Sequence, residues 1–481
     1  MRLPINTLWS ITVPWDRVQK PAFVLALLAV LFTCLQAHAE SPAAERTRPR
    51  RVPHVLDLET AQRIALEQNP SLAAAAERVE QARQRIRQAW AGYSPLLEAS
   101  IGATHTEYPE NGGTLGAFSG TGAGTSSLSS ISGLDDEDTY SASLSATWTL
   151  FDGFRREFAL AAARFDKRRS EAAFQEAQRL LLAAVSSSFH SAQLTLENVA
   201  IAQADEAFNQ RQLDEARARE AAGAGSLSDV LNFQVQVNLA RARKIEAQRD
   251  FRVALSGLAA LLGLPDGALG SEVRLAPLEE APADRLKPPK AQDQVAYALE
   301  HRPDVKAARM ARLGARAGVG VARARFFPSL SVFGNLEGTR YGNARLEEDD
   351  FSASVGVRVS VPLFSGGADL AGYREARHAE VEAHHVLENT MTEAASQVQS
   401  AVARVLAAQK QLRLQRQNAR LVLQTRDLVE KEYAEGQASL VRLTQAQRDL
   451  VQAQSQLAQA RHNLEDAWVQ LHAATGRILE R

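Results

Sequence analysis

The sequence predicts a mixed fold written twice over, each half joining two strands of a membrane-type β-barrel to long α-helical coiled-coil hairpins. Three observations predict it. The first is an internal twofold repeat. Ala65-Leu66-Glu67-Gln68-Asn69-Pro70 returns as Ala298-Leu299-Glu300-His301-Arg302-Pro303, 233 positions on (65 to 298), and Pro95 and Leu97 return at that spacing as Pro328 and Leu330. Leu150-Phe151-Asp152-Gly153 returns as Leu363-Phe364-Ser365-Gly366, now 213 positions on (150 to 363), and this spacing persists to Gly263 and Gly476. A period this long marks a duplicated half-protein rather than a solenoid unit. The second observation is strict two-residue alternation in strand-length segments. The third is a pair of helical runs of about 70 residues, roughly 100 Å long at 1.5 Å per residue.

In chain order, residues 1–39 read as an export signal. Arg17 and Lys20 precede an apolar run from Phe23 to Leu35, and Ala37-His38-Ala39 offers a small-x-small cleavage site. The run is too short to span a bilayer. The single cysteine, Cys34, follows Phe32-Thr33, a poor setting for lipid modification. Cleavage after Ala39 leaves a chain without thiol chemistry. Residues 40–54 follow as a linker. No other segment approaches 18 apolar residues, so any membrane crossing must use strands. A net charge of -1 gives no field to attract nucleic acid, and none is expected as a partner.

The first repeat is expected over 55–263. It opens with a helix from Leu58 to Gly92, ended by Pro95. Strands follow at about 96–108 and 139–151. In the second of these, Tyr140, Ala142, Leu144, Ala146, Trp148 and Leu150 alternate with Ser141, Ser143, Ser145, Thr147 and Thr149. A long helix at about 154–222 and a shorter one at about 229–262 complete the half. Residues 264–291, rich in Pro and acidic residues, read as an inter-repeat, equatorial linker. The second repeat, 292–476, has a first helix from Gln292 to Phe327, strands at about 329–338 and 351–364, and helices at about 367–435 and 440–475. Residues 477–481 form a tail. Its second strand sets Phe351, Ala353, Val355, Val357, Val359 and Val361 against Ser352, Ser354, Arg358 and Ser360.

Period-two alternation with small polar residues on one face marks strands with one side toward lipid and the other toward a wet lumen. Tyr140, Leu144, Trp148, Val355, Val357 and Val359 are the lipid-facing candidates. Long polar connections, Pro109 to Thr139 and Arg340 to Asp350, lie on the opposite side from the helices. A soluble sandwich with one solvated face is the competing arrangement. Four strands cannot close a barrel, and an open edge in lipid leaves backbone groups unsatisfied. The chain therefore must associate with others.

The last helix carries an a/d heptad. Leu443, Leu450, Leu457, Leu464 and Leu471 recur every seven residues, each followed three later by Ala446, Ala453, Ala460, Ala467 or Ala474. Leu opposite Ala lets helices approach closely, so these leucines are the expected packing seam. The first half keeps the register from Val230 and Phe233 to Leu258 and Leu261, with Lys244 out of type. Enzyme chemistry finds no foothold: there is no nucleotide loop, no HExxH and no nucleophile in a recognisable setting. His378, Glu382 and His385 share a helical face, as solvated surface residues commonly do. No enzyme, cofactor or resident metal is expected.

These features together resemble the TolC family of outer-membrane channels over essentially the whole mature chain. The duplicated element order, the Leu-x-x-Ala helices and two turn motifs carry the resemblance. Gly223 is followed six residues later by Asp229, and Tyr433 stands three residues before Gly436. The resemblance implies a homotrimer. Twelve strands, four per chain, would form a barrel in outer-membrane lipid, continued by a periplasmic α-helical barrel. It also implies two partners, a periplasmic adaptor protein and an inner-membrane ABC or proton-driven transporter. It implies that Tyr433 bonds to Asp229 to hold the periplasmic end closed. Two family aspartates near that end are replaced here by Arg442 and Gln445, so a different closing contact is expected, with Arg442 bridging to Asp229. The function implied is an exit duct, foremost for type I secretion of a protein such as a repeat-rich toxin. Efflux of drugs or other small molecules is the alternative. A trimeric coiled-coil surface protein is the remote one, since its strands would sit at the C-terminus rather than mid-chain in both halves.

Overall fold

Asn69 and Arg302 break what the sequence presented as one helix into two, once in each repeat. The computed structural model describes residues 54–106, 137–264, 267–269, 273–278, 280 and 282–480. The signal, the linker up to residue 53 and most of the Pro109–Thr139 connection lie outside the described residues. After a two-residue strand β1 (Val55–Leu56) come α1 (Leu58–Gln68) and α2 (Pro70–Ala91). The second repeat matches them with α5 (Ala291–His301) and α6 (Pro303–Ala324). Pro70 and Pro303 occupy the first helical turn, where a missing N–H costs nothing, but neither can continue a preceding helix. The expected spans 58–92 and 292–327 are corrected accordingly.

Each break residue reaches the end of a distant helix. Asn69 accepts from the backbone of Ser71 and Leu72 and donates its Nδ2 to Leu261 O at 2.9 Å. Arg302, its counterpart, donates Nη1 to Ala474 O at 3.0 Å and grips Asp304 at 3.0 and 2.6 Å. Leu261 and Ala474 lie at the C-terminal ends of α4 (Leu227–Leu261) and α8 (Leu440–Thr475). The repeat thus conserves the job, supplying donors to orphan helix carbonyls, with a different side chain. Close approach makes Gly263 obligatory: at φ 76°, an added Cβ would lie 2.5 Å from Gln68 O.

Burial alone would raise the Asp304 carboxyl, but the hydrogen bonds and charge of Arg302 outweigh it and hold the pKa below the ordinary carboxylate range. Arg302→Ala should therefore cost about 3–5 kcal/mol, because it strands a shielded charge. A depressed carboxylate stabilises fully above its unfolded pKa. The difference between wild type and variant should hold above about pH 4 and shrink below it, as thermal melts across pH would show.

The strands β2 (Leu96–Thr106), β3 (Glu137–Phe151), β5 (Ser329–Tyr341) and β6 (Phe351–Ser360) form one antiparallel sheet in that order. Its register aligns the apolar faces across all four. Ala99, Leu144, Leu336 and Ala353 make one row; Leu97, Ala146, Gly334 and Val355 make the next. The polar rows run Ser100, Ser143, Glu337, Ser352 and Glu98, Ser145, Asn335, Ser354. Apolar side chains interrupt this face at Leu96 and at Phe333, which lies over Gly356 with the Arg358 guanidinium 4.7 Å from its ring. β5 runs three residues beyond the expected 338. β6 stops at Ser360 rather than 364, because Pro362 has no N–H for the ladder. A second short sheet pairs β1 in parallel with β4 (Arg274–Leu275), inside the segment expected to be a linker, and the expected tail forms a 3₁₀ turn, Arg477–Glu480.

Two long helices, α3 (Arg155–Ala221) and α7 (Ala368–Ala434), are both 67 residues. α3 packs on α2, α4, α6 and α8, and α7 packs on α6 and α8. The short helices of each repeat therefore share the length of a long one. Of the α8 heptad leucines, Leu443, Leu450, Leu464 and Leu471 are buried within the chain, with Leu457 partly so. Lys244, the residue out of type on α4, finds Glu206 of α3 at 2.8 Å.

Candidate functional site: the helical tip and the open flanks

The turns 222–226 and 435–439 bring the free ends of the two long hairpins together. Gly223 and Gly436, at φ 75° and 77°, close α3 and α7, and Ser226 and Ser439 cap α4 and α8. Beneath the turns Phe208, Leu213, Phe233, Val237, Val429 and Leu443 form one apolar cluster drawn from all four helices. Tyr433 joins it edge-on to Phe233, ring centroids 6.3 Å apart, with the Arg219 guanidinium 5.3 Å from the Tyr433 ring. Burial first, then the negative charge of Asp229, raises the Tyr433 phenol pKa, and Arg219 pulls the other way. Asp229 is thus close enough to act electrostatically, yet no hydrogen bond joins it to Tyr433 among the described residues. Arg442 does not bridge to Asp229 within the chain: it pairs with Glu432 of α7 at 2.9 Å. Gln445 donates to Asp449, one turn along its own helix, at 2.8 Å. Within the chain, the contacts of Tyr433 are those of its ring, with Phe233 and Arg219.

The other feature is a pair of flanks without a partner. On α7, Leu414, Leu421 and Leu428 recur every seven residues and are each at least 60% exposed. On α4, Leu227, Leu231, Val235 and Leu239 form an exposed ridge opposite the buried Phe233 and Val237. Both helices are apolar on two faces, one of them used within the chain. The sheet ends likewise in β2 and β6, where Ile101 is 90% and Val355 85% exposed. Val357 and Val359 are also exposed, while Tyr140 and Leu144 on central β3 are half-covered by neighbouring strands. Trp148 donates its indole N–H to Tyr93 O at 3.0 Å, at the boundary between strands and helices. Of the shared histidine face, His385 pairs with Glu388 at 3.0 Å.

A sheet with one apolar face, continued by long paired helices, is the architecture of an outer-membrane channel protein. The chain belongs to the outer membrane efflux protein family, whose profile matches residues 62–264 and 295–477. The resemblance to TolC-type channels is thereby established, and with it an outer-membrane location with a periplasmic helical part. Among its relatives, the alkaline protease secretion protein AprF of Pseudomonas aeruginosa is 31% identical over 55% of this chain, a match spanning about half (54%) of AprF's own length. The pyoverdine export outer membrane protein OpmQ of the same organism is 26% identical over 87% of this chain and 82% of its own. The solved structure of CusC superposes with a TM-score of 0.70 over 90% of this chain and 99% of its own, at 20% identity.

Proposed function

We propose that three copies of this chain assemble flank to flank into the exit duct of a tripartite export system. A periplasmic adaptor and an inner-membrane transporter would complete it. The observation that carries the reading is the matched pair of open flanks. A stave inside a closed ring needs apolar contacts on both sides, and α4 and α7 have a second apolar face each. β6 of one copy would pair with β2 of the next, giving twelve strands from three chains and leaving no edge in lipid.

For cargo we favour type I secretion of a protein. The alkaline protease secretion protein AprF, named for the secretion of a protein, is among its relatives. The export of small molecules is the second reading, favoured by the longer match to OpmQ. Deleting the gene and assaying both secreted protein and sensitivity to small toxic compounds separates them. Loss of a secreted protein with unchanged sensitivity supports the first; the reverse overturns it.

Closure at the tip falls to Tyr433 and its neighbours. Because the ring rather than the hydroxyl makes the contacts, Tyr433→Ala should raise single-channel conductance in planar bilayers well above Tyr433→Phe. Arg442→Ala should do little, since exposed ion pairs contribute about 0–1 kcal/mol.

A further inference from the structure

The long helix of the second repeat is charged in a way its counterpart is not. From Ala394 to Arg426, α7 carries Arg404, Lys410, Arg413, Arg416, Arg420 and Arg426 and not one acid. At the repeat spacing, the matching stretch of α3 from Leu181 to Leu213 carries Glu197, Asp205 and Glu206 against Arg211 alone. Arg413, Arg416 and Arg420 stand where the first repeat has Ala200, Gln203 and Ala207. Like charges three and four residues apart on a helix repel. The first repeat builds an equally long helix without them, so the fold does not require this triad.

All three arginines line one cavity of 230 Å³, together with Leu286 of the inter-repeat segment and Gln409, and its described lining holds no carboxylate. Other arginines of the run are engaged: Arg404 donates to Gln470, and Arg426 pairs with Glu430 at 3.0 Å. The triad has no ion-pair partner among the described residues. Nε and Nη2 of Arg416 are buried without a hydrogen-bond acceptor. A shielded donor left unmade is unfavourable, and a guanidinium fork matches the two oxygens of a carboxylate. The cavity is built for an anion.

Its position indicates which anion. Gln409 donates Nε2 to Arg285 O at 2.8 Å and to Lys287 O at 3.1 Å, so the inter-repeat segment rests on the cavity's side of α7. In a ring of three chains that segment must lie on the outer wall, since three copies inside would fill the lumen. The cavity therefore opens toward the periplasm around the tunnel. The polymer there is the cell wall, whose peptide stems end in free carboxylates on short flexible arms. A stem end suits this cavity, with its carboxylate on the arginines and its methyl groups against Leu286 and Leu412.

We propose that Arg413, Arg416 and Arg420 bind the carboxylate ends of cell-wall peptide stems and anchor the tunnel where it passes through that layer. The inference rests on the reading of the chain as a subunit of a closed tube.

The test is co-sedimentation of the intact, detergent-purified oligomer with purified cell-wall sacculi. Wild type should pellet with them. Arg413→Gln, Arg416→Gln and Arg420→Gln combined should weaken binding roughly tenfold or more, the loss expected when charge-assisted bonds are removed. Oligomer size and single-channel conductance should not change, because the site lies outside the lumen. Sacculi whose carboxylates have been converted to amides should not bind the wild type, and soluble muropeptides should compete where the same concentration of inorganic phosphate does not. If the combined variant fails to assemble, Arg416→Gln alone and the amidated sacculi carry the test. Undiminished pelleting of a well-assembled variant, or of wild type with amidated sacculi, overturns the proposal. Displacement by phosphate as readily as by muropeptides makes this a small-anion site and overturns it too. A wild-type protein that forms no pore in planar bilayers is a separate failure: it overturns the channel reading, and with it the outward placement of the cavity.

Discussion

Leu464→Asp should abolish assembly. Leu464 is 0% exposed in the middle of the α8 heptad, packed among Val398, Val402 and Val405 of α7 and Ala298 of α5. The substitution removes a buried aliphatic side chain, at about 2–5 kcal/mol, and places a carboxylate inside this apolar cluster. Together these rival the net stability of a whole domain, about 5–15 kcal/mol. No folded protein should reach the outer membrane, as membrane fractionation and immunoblotting would show. Leu457→Asp should be milder, because Leu457 is only partly covered within the chain.

Leu421→Asp should produce a different failure. Leu421 is 63% exposed on the open flank of α7, so the isolated chain has little to lose there. In the proposed ring, however, the same residue would be buried against the next copy, and three aspartates would enter three seams. The variant should fold, with wild-type helix content by circular dichroism, yet sediment as a single chain. Leu231→Asp on the α4 flank should behave alike. An intact oligomer in both variants would mean that the flanks meet solvent or another partner instead of each other.

Much of this architecture was legible in the residues because the physics behind it is periodic. Strict alternation at Tyr140–Leu150 and Phe351–Ser360 required strands, and their register then followed from keeping apolar rows together. The Leu443–Leu471 heptad required a seam. What escaped was aperiodic. The breaks at Asn69 and Arg302 were signalled by Pro70 and Pro303, which served only to mark the repeat. Pro362 shortened a strand whose alternation continued past it.

At the tip, the expected Tyr433–Asp229 bond came from resemblance, and side-chain geometry depends on neighbours such as Phe233 and Arg219 that no spacing rule brings together. The second apolar ridge of α4, Leu227, Leu231, Val235 and Leu239, was visible at i, i+4 spacing. It was hidden by the stronger pattern of Val230, Phe233 and Val237 on the same helix.

The central claim is that this chain is one third of a continuous duct. Electron cryo-microscopy of the detergent-purified protein tests it most directly. The account predicts three copies around a central lumen, with β6 of each paired to β2 of the next and α7 of each packed on a neighbour's α4. Single chains with a four-stranded sheet, or an oligomer without a lumen, would contradict it.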